Sequence, residues 1–281
     1  MADAVLAPSL RAPDFGAAPL GAAEFARLSA TVYDVAGIVL QAGKEGLVRG
    51  RLAKRLRELQ LGTFDEYLEH VQMDASRREL AHMIDLLTTN KTSFFREAAH
   101  FDYLRDVVLP AHPAGRPLRV WSAGCSTGEE PYTLAMVIGE HLRGTRDVRL
   151  LATDISARVL ARAQAGVYAG EVVADIPDAL REKWLAPAPH APGAFIVREA
   201  LRRPIHFARL NLMGEWPMKG PFDAIFCRNV MIYFDRPTQE RLVKRFASLL
   251  APGGHLFVGH SESLTALAQP LTYVRPAVYV K

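Results

Sequence analysis

The chain has 281 residues, 49% of them hydrophobic and 23% charged, with a formal net charge of +4. That length and apolar content exclude a disordered or low-complexity chain and suit one or two globular domains. The mild positive charge fits an acidic partner and does not imply nucleic acid, while two widely separated cysteines, Cys125 and Cys227, exclude a disulfide framework and a cysteine metal cluster and point to a reducing cytoplasm.

Residues 1–21 are rich in Ala and Pro and lack a basic segment ahead of an apolar one, so they read as a flexible tail and not a signal peptide. No apolar run reaches the roughly 18 residues that a membrane span needs, so no membrane insertion is expected. From 22 to 88 the pattern is helical. In GLVRGRLAKRLRELQL, Val48, Leu52, Leu56 and Leu59 share one stripe, and the cations Arg51, Lys54, Arg55 and Arg57 fall outside it. Gly62 reads as the stop of this helix and Thr63 as the N-cap of the next. ASRRELAHMIDLLTT gives a further helix with Leu80, Ile84 and Leu87 on its apolar edge. The expectation is a small all-helical N-terminal domain.

The rhythm changes at about residue 89. Short apolar runs (PLRVWSA, VRLLATDIS, IHFARLNL, FDAIFC, HLFVGHSESL and a final LTYVRPAVYVK) alternate with helical stretches. That alternation predicts an α/β domain over 89–281, a Rossmann-like parallel sheet with helices on both faces. Residues 166–204 are proline-rich and interrupt the alternation. They read as an inserted small β-subdomain, with a strand near AFIVRE and a turn in APAPHAPG.

Ligands of such sheets bind at the carboxyl ends of the strands. The first strand ends in AGCSTGEE, where Gly124 and Gly128 permit a tight turn and close backbone approach. Ser126 stands where a dinucleotide pyrophosphate would require glycine, which argues against NAD. The plain alternative is a strand-to-helix turn with no ligand. Asp154 ends the second strand, where an acid can accept both ribose hydroxyls or cap the following helix. The pair points to an adenosine without a phosphate, of which S-adenosylmethionine is the common example. Glu129 and Glu130 could receive its ammonium, or simply favour a helix N-terminus. Arg228, Asn229 and Tyr233 flank the same opening, and Asn211 and Leu212 would frame the adenine. The chain has Arg-Asn-Val-Met where methyltransferases of exocyclic base nitrogens carry Asn/Asp-Pro-Pro-Tyr.

Together with TNKTSFFRE (89–97), RVWSAGCSTGEEPYTLAM, LLATDIS, FDAIFCRNVMIYFD and LAPGGHLFVGHSESL, in that order, the chain from about Phe25 onward resembles the CheR-type chemotaxis receptor methyltransferases. The resemblance implies a class I methyltransferase domain using S-adenosylmethionine, released as S-adenosylhomocysteine, and no metal. It implies methylation of glutamates on the cytoplasmic helical bundle of chemoreceptors. By the same resemblance Asn90, Thr92 and Arg96 touch cofactor or substrate, alongside Gly124, Glu129 or Glu130, Asp154, Asn211, Leu212, Arg228 and Asn229. Arg96 would orient the acceptor carboxylate, and the alternative for it is an ion pair with Glu97. Tyr233 would line the methyl path or pack on the sheet end. The phenylalanines Phe94 and Phe95 are expected to pack beneath the segment. Arg51, Lys54, Arg55 and Arg57 would dock the receptor or form an ordinary solvated face. Some family members hold a receptor C-terminal tether peptide on the inserted subdomain. A monomer acting in the cytoplasm is expected. Two other readings stay open: a methyltransferase of RNA or a small molecule, and a cofactor-binding sensor without transfer.

Overall fold

A computed structural model describes residues 18–142 and 147–281. Residues 1–17 of the expected tail lie outside the described residues. The chain forms two compact units, one of residues up to 33 together with 40–87, the other of 34–39 with 88–281. Segment 34–39 thus belongs with the second unit, a refinement of the boundary expected at 88.

The first unit is helical: α1 (Ala22–Ala36, whose last turn passes to the second unit), α2 (Glu45–Leu59), α3 (Phe64–Met73) and α4 (Arg78–Leu87). Val48, Leu52 and Leu56 are the buried stripe of α2. This helix stops earlier than Gly62. Gln60 takes the left-handed conformation (φ 57°) and returns its N–H to the carbonyls of Arg57 and Leu56. Thr63 caps α3 in a full capping box with Glu66. On α4 the buried position next to Leu80 is an acid, Glu79. Arg55 grips it with Nε at 3.0 Å and Nη2 at 2.5 Å, and the Tyr67 hydroxyl donates to it at 3.0 Å. Arg55 is therefore a structural anchor of this unit, with its side chain still 24% exposed. Arg51 likewise donates to the Leu87 carbonyl. Lys54, 81% exposed at its side chain, and the exposed Arg57 remain on the outer surface.

The second unit carries ten strands: β1 (Leu118–Ala123), β2 (Val148–Asp154), β3 (Val167–Ala169), β4 (Leu185–Pro187), β5 (Ala194–Val197), β6 (Ile205–Arg209), β7 (Phe222–Cys227), β8 (Leu250–Val258), β9 (Thr272–Arg275) and β10 (Val278–Val280). Seven form one sheet in the order β6-β2-β1-β7-β8-β10-β9, parallel from β6 to β8 and antiparallel at β10 and β9. The chain leaves the central strand β1 toward β2 on one side and later returns to β7 on the other. The β1 tip is thus the switch point where such sheets bind ligands. The two faces are read by strict alternation: Val120 and Phe226 point into one apolar layer, Trp121 and Ile225 into the other. The first layer stacks Phe226 on Phe257 at 4.1 Å, and the second sets Trp121 edge-on to Phe246 at 5.3 Å.

The insertion folds as a separate three-stranded antiparallel sheet, β3-β5-β4, with the APAPHAPG segment leading from β4 into β5. The final run expected as one strand is a hairpin. Pro276 lacks an N–H for the ladder, Ala277 turns left-handed (φ 62°), and the chain reverses into β10. Residues 99–111, not read as an element from sequence, form a helix interrupted by a π turn at Leu104–Val108.

Removing the Arg55 guanidinium should strand a buried carboxylate. Arg55→Ala is expected to destabilise the protein by about 2 kcal/mol in urea titration, less than a fully buried pair because Arg55 is partly solvated. Lys54→Ala should leave the midpoint unchanged.

Candidate functional site

The β1 tip is a loop in which alternate residues are left-handed: Gly124 (φ 91°), Ser126 (φ 49°) and Gly128 (φ 102°). Both glycines are required by space as well as by φ. A Cβ on Gly124 would lie 2.4 Å from Val230 Cγ2, and one on Gly128 2.7 Å from the Tyr168 hydroxyl. Asp154, at the β2 tip, fastens this loop. One carboxylate oxygen accepts the Ser126 N–H and the other the Ser156 N–H, each at 2.9 Å. The N-cap of the following helix is Ser156, whose hydroxyl accepts from the Val159 N–H at 3.3 Å. The Ser126 hydroxyl donates to the Asn90 carbonyl at 3.1 Å, joining the loop to the segment that opened with TNKTSFFRE.

In that segment Phe94 is buried, edge-on to Tyr168 at 5.1 Å, and Phe95 meets Phe101 at 5.9 Å. Phe95 (φ 53°) and Glu97 (φ 57°) are both left-handed, a costly conformation for such side chains, and Arg96 sits between them. The Phe95 N–H is held by the Thr133 hydroxyl at 3.2 Å. The Arg96 guanidinium donates back to the Lys91 carbonyl at 2.8 Å and forms no ion pair with Glu97. Thr92 is half-buried in the same segment, and the Asn90 amide reaches the Thr88 hydroxyl at 3.4 Å.

Glu97 instead turns to Arg228. This guanidinium, buried just past β7, reaches Glu97 and Glu130, each at 3.0 Å, and donates also to the Arg96 carbonyl. It lies over the Phe101 ring at 5.3 Å. Burial pushes the Glu97 carboxyl up. The Arg228 charge, with hydrogen bonds from Arg228, the Asn229 amide (3.3 Å) and the His260 N–H (3.4 Å), outweighs it and holds the group below the usual range. Glu130 also accepts from the Ser122 hydroxyl at 2.7 Å, yet its burial prevails and its carboxyl is raised. Glu129 is buried too, held by the Thr127 hydroxyl, at 2.7 Å, and by a backbone N–H, and its carboxyl is likewise raised by burial. Of the two acids, Glu129 is the one that no cation among the described residues neutralises.

The remaining sequence candidates divide. Asn229 joins the network, with a left-handed backbone (φ 58°). Asn211 is spent on local structure, its amide donating to the Val35 carbonyl at 2.6 Å and accepting from the Met213 N–H at 2.9 Å. Leu212 is buried in the Trp121 layer. Tyr233 ends the turn Met231–Tyr233, and its carbonyl accepts the Val39 N–H at 2.8 Å. Sequence reading underestimated Glu97, which was weighed only as a partner of Arg96, its neighbour in the chain.

Glu97, His100 and His260 bring one potential metal ligand each within 4.8 Å of one another. Burial first, then Arg228, depress the His100 imidazole to about 3.

A family model described as "CheR methyltransferase, SAM binding domain" matches residues 90–280, and one described as "CheR methyltransferase, all-alpha domain" matches 23–88. The chain belongs to the CheR methyltransferase family. It is 43% identical to a chemotaxis protein methyltransferase of Klebsiella aerogenes, covering 93% of this chain and 90% of the relative. It is 42% identical to that of Escherichia coli K12 (92% and 91%) and 39% identical to that of Borreliella burgdorferi (92% and 94%). The two matched regions correspond closely to the two compact units, and the first unit is as much part of the family pattern as the sheet.

Replacing Arg228 by Met should leave two carboxylates buried without their cation, at a cost of about 3–5 kcal/mol at pH 7. The sign of its pH dependence follows from Glu97. In the wild type the depressed group adds stability above the unfolded carboxylate value and loses it only as pH falls through the folded one. In the variant, burial alone raises the group, and its cost vanishes on protonation. The stability gap in urea titrations should therefore be widest near neutrality and narrow as acidification protonates the buried carboxyls.

Proposed function

We propose that this CheR-family protein transfers a methyl group from S-adenosylmethionine to glutamate side chains on the cytoplasmic helical bundle of chemoreceptors, forming γ-glutamyl methyl esters in sensory adaptation. The observation that carries this reading is that relatives named chemotaxis protein methyltransferase align over both units, at about 40% identity and nine-tenths of their length. A shared methyltransferase sheet alone would leave the acceptor open. Among the described residues no helix is long and apolar enough to cross a membrane.

The site suits this cofactor chemically. The loop at the β1 tip allows close backbone approach and offers no cradle for a pyrophosphate, and Glu129 is a buried carboxylate that no cation among the described residues neutralises. In the proposed arrangement Glu129 holds the methionyl ammonium. Asp154 accepts ribose hydroxyls beside its two backbone N–H groups, since a carboxylate has about four acceptor positions. Asn90, Thr92, Gly124, Asn211, Leu212, Arg228 and Asn229 line or support the same crevice. Bound S-adenosylmethionine supplies a methyl group already activated by a positive sulfur. The acceptor glutamate is ionised at neutral pH, its reference pKa being about 4.3, so the protein need not supply a base. Its tasks are alignment, worth up to about 7–11 kcal/mol in favourable cases, and exclusion of water. Arg96 orients one oxygen of the acceptor by charge-assisted bonds and leaves the other to attack. Among the described residues its guanidinium bonds to the Lys91 carbonyl, a bond it can keep while turning its remaining donors outward. Tyr233 lines the methyl path.

Lys54 and Arg57, two outward cations of α2, are the proposed receptor-docking pair. The inserted sheet exposes two edges, β3 and β4, either able to take an extended tether peptide as a further strand. Base-labile methyl release from receptor after incubation with labelled cofactor tests the reaction. Base-stable label on RNA, or binding without transfer, would favour the two other readings.

Arg96→Ala should lower receptor methylation at least about tenfold while calorimetric cofactor affinity changes much less. Unchanged turnover would remove Arg96 from the mechanism. Glu129→Gln should weaken cofactor binding by about tenfold, and the wild-type affinity should fall on acidification at a pH above the ordinary carboxylate range. Receptor KM should rise with salt, and less so in a Lys54→Ala, Arg57→Ala double variant.

A further inference from the structure

The turn after β8 carries an acid that the proposed chemistry does not use. Glu262 is 7% exposed and forms no ion pair among the described residues. Backbone N–H groups converge on its carboxylate instead, among them Gly259 at 2.5 Å and Asn229 at 2.9 Å on one oxygen and Ile232 at 3.1 Å on the other, with Met231 beside them. Those of Asn229, Met231 and Ile232 belong to the loop leaving β7, that of Gly259 to the end of β8. The chain has built an anion nest and filled it with its own side chain. Burial pushes the carboxyl up and the backbone donors pull it back down.

The consequence lies in what the β7 loop carries. Asn229 is left-handed, an arrangement that persists only when the surroundings over-determine it. Its N–H is pinned by Glu262, and its amide is thereby aimed at Glu97, the partner of Arg228. Space around the nest is tight. A Cβ on Gly259 would lie 2.4 Å from the Asn229 amide nitrogen. A neutral glutamine in place of Glu262 would fit the volume but present an NH2 group to N–H donors, so at least one bond would be lost.

Resting on the methyl-transfer reading, we infer that Glu262 is a positioning residue: through the backbone of Asn229 and Ile232 it fixes the β7 tip on which Arg228, Asn229 and Tyr233 stand. It acts on the cofactor side of the reaction and touches no reacting group.

The test is steady-state methylation of receptor by wild type, Glu262→Gln, Asn229→Ala and the double variant. Glu262→Gln should raise the cofactor KM about tenfold and leave the receptor KM unchanged. A general loss of folded enzyme would lower kcat and move neither KM. If Glu262 acts through Asn229, the two losses in kcat/KM for cofactor should be strongly non-additive, the double variant resembling either single one. An unchanged cofactor KM, or losses that multiply, would overturn the inference. Should Glu262→Gln lose its near-ultraviolet circular dichroism, Glu262→Asp keeps the charge and shortens the reach. A folded Asp variant with a raised cofactor KM supports the inference, and one with wild-type KM overturns it. A wild-type protein that methylates no receptor overturns the underlying reading as well, and is told apart by that.

Discussion

One buried guanidinium organises the cofactor end of this sheet. Arg228 stands at the tip of β7 and meets Glu130, which opens the helix after β1, and Glu97, which closes the segment before it. Three stretches distant in sequence are thereby tied by charge at the switch point of the sheet. The geometry is demanding because each carboxylate loses water on burial, and attraction repays that loss only where the donors are well placed. Further bonds from Ser122 and Asn229 satisfy remaining acceptor positions on the two acids. The network costs more to break than it contributed to make, which fixes one arrangement of the tips and disfavours intermediates.

Strain is concentrated around the same network. Of the seven left-handed residues that are not glycine among the described ones, four, Phe95, Glu97, Ser126 and Asn229, lie within the three tied stretches. Each costs on the order of 1–3 kcal/mol and survives only when its surroundings hold it. Here the holding groups can be named: the Thr133 hydroxyl for Phe95, the Asp154 carboxylate for Ser126, the Glu262 carboxylate for Asn229. The functional loops are thus clamped by side chains from neighbouring strand ends, and the apolar layers below supply the rigid base. An αL turn on either side of Arg96 also separates its side chain from that of Glu97, so neighbours in sequence serve different partners.

The sheet was legible because period-2 alternation and Gly-bearing turns are local signals. Val120 and Trp121 point to opposite layers as their spacing requires. The turn geometry of the β1 and β2 tips was legible for the same reason, since Gly124, Gly128 and Asp154 stand where their own chain segments place them. What escaped was set by distant pairing. Arg55 reads as a surface cation until Glu79, on another helix, is seen buried beneath it. The bond that ties the Asn211 amide to the Val35 carbonyl likewise joins residues far apart in sequence. Glu262 lies in a polar stretch, HSES, that has no periodicity at all. Its importance comes from N–H groups contributed by a loop 30 or so residues earlier, a relation with no local trace.

The charge arrangement bears on how an anion can be methylated beside so many acids. Glu97, Glu129, Glu130 and Asp154 all stand at the strand tips, and an incoming glutamate would be repelled by an unshielded set of this kind. Arg228 neutralises part of that field from within, and it is too deeply buried to serve a substrate. Asp154 is partly compensated by backbone N–H groups. The acid left without a cation among the described residues, Glu129, is the one suited to a positively charged ligand group. In the proposed reading, cofactor charge completes the balance that the protein leaves open, and Arg96 is a cation whose side chain, among the described residues, is bonded to a carbonyl and to no carboxylate. The same balance explains why a second buried arginine in place of the Glu129 contact would be a poor design. It would discharge the site in advance and leave no electrostatic reason for a sulfonium to enter.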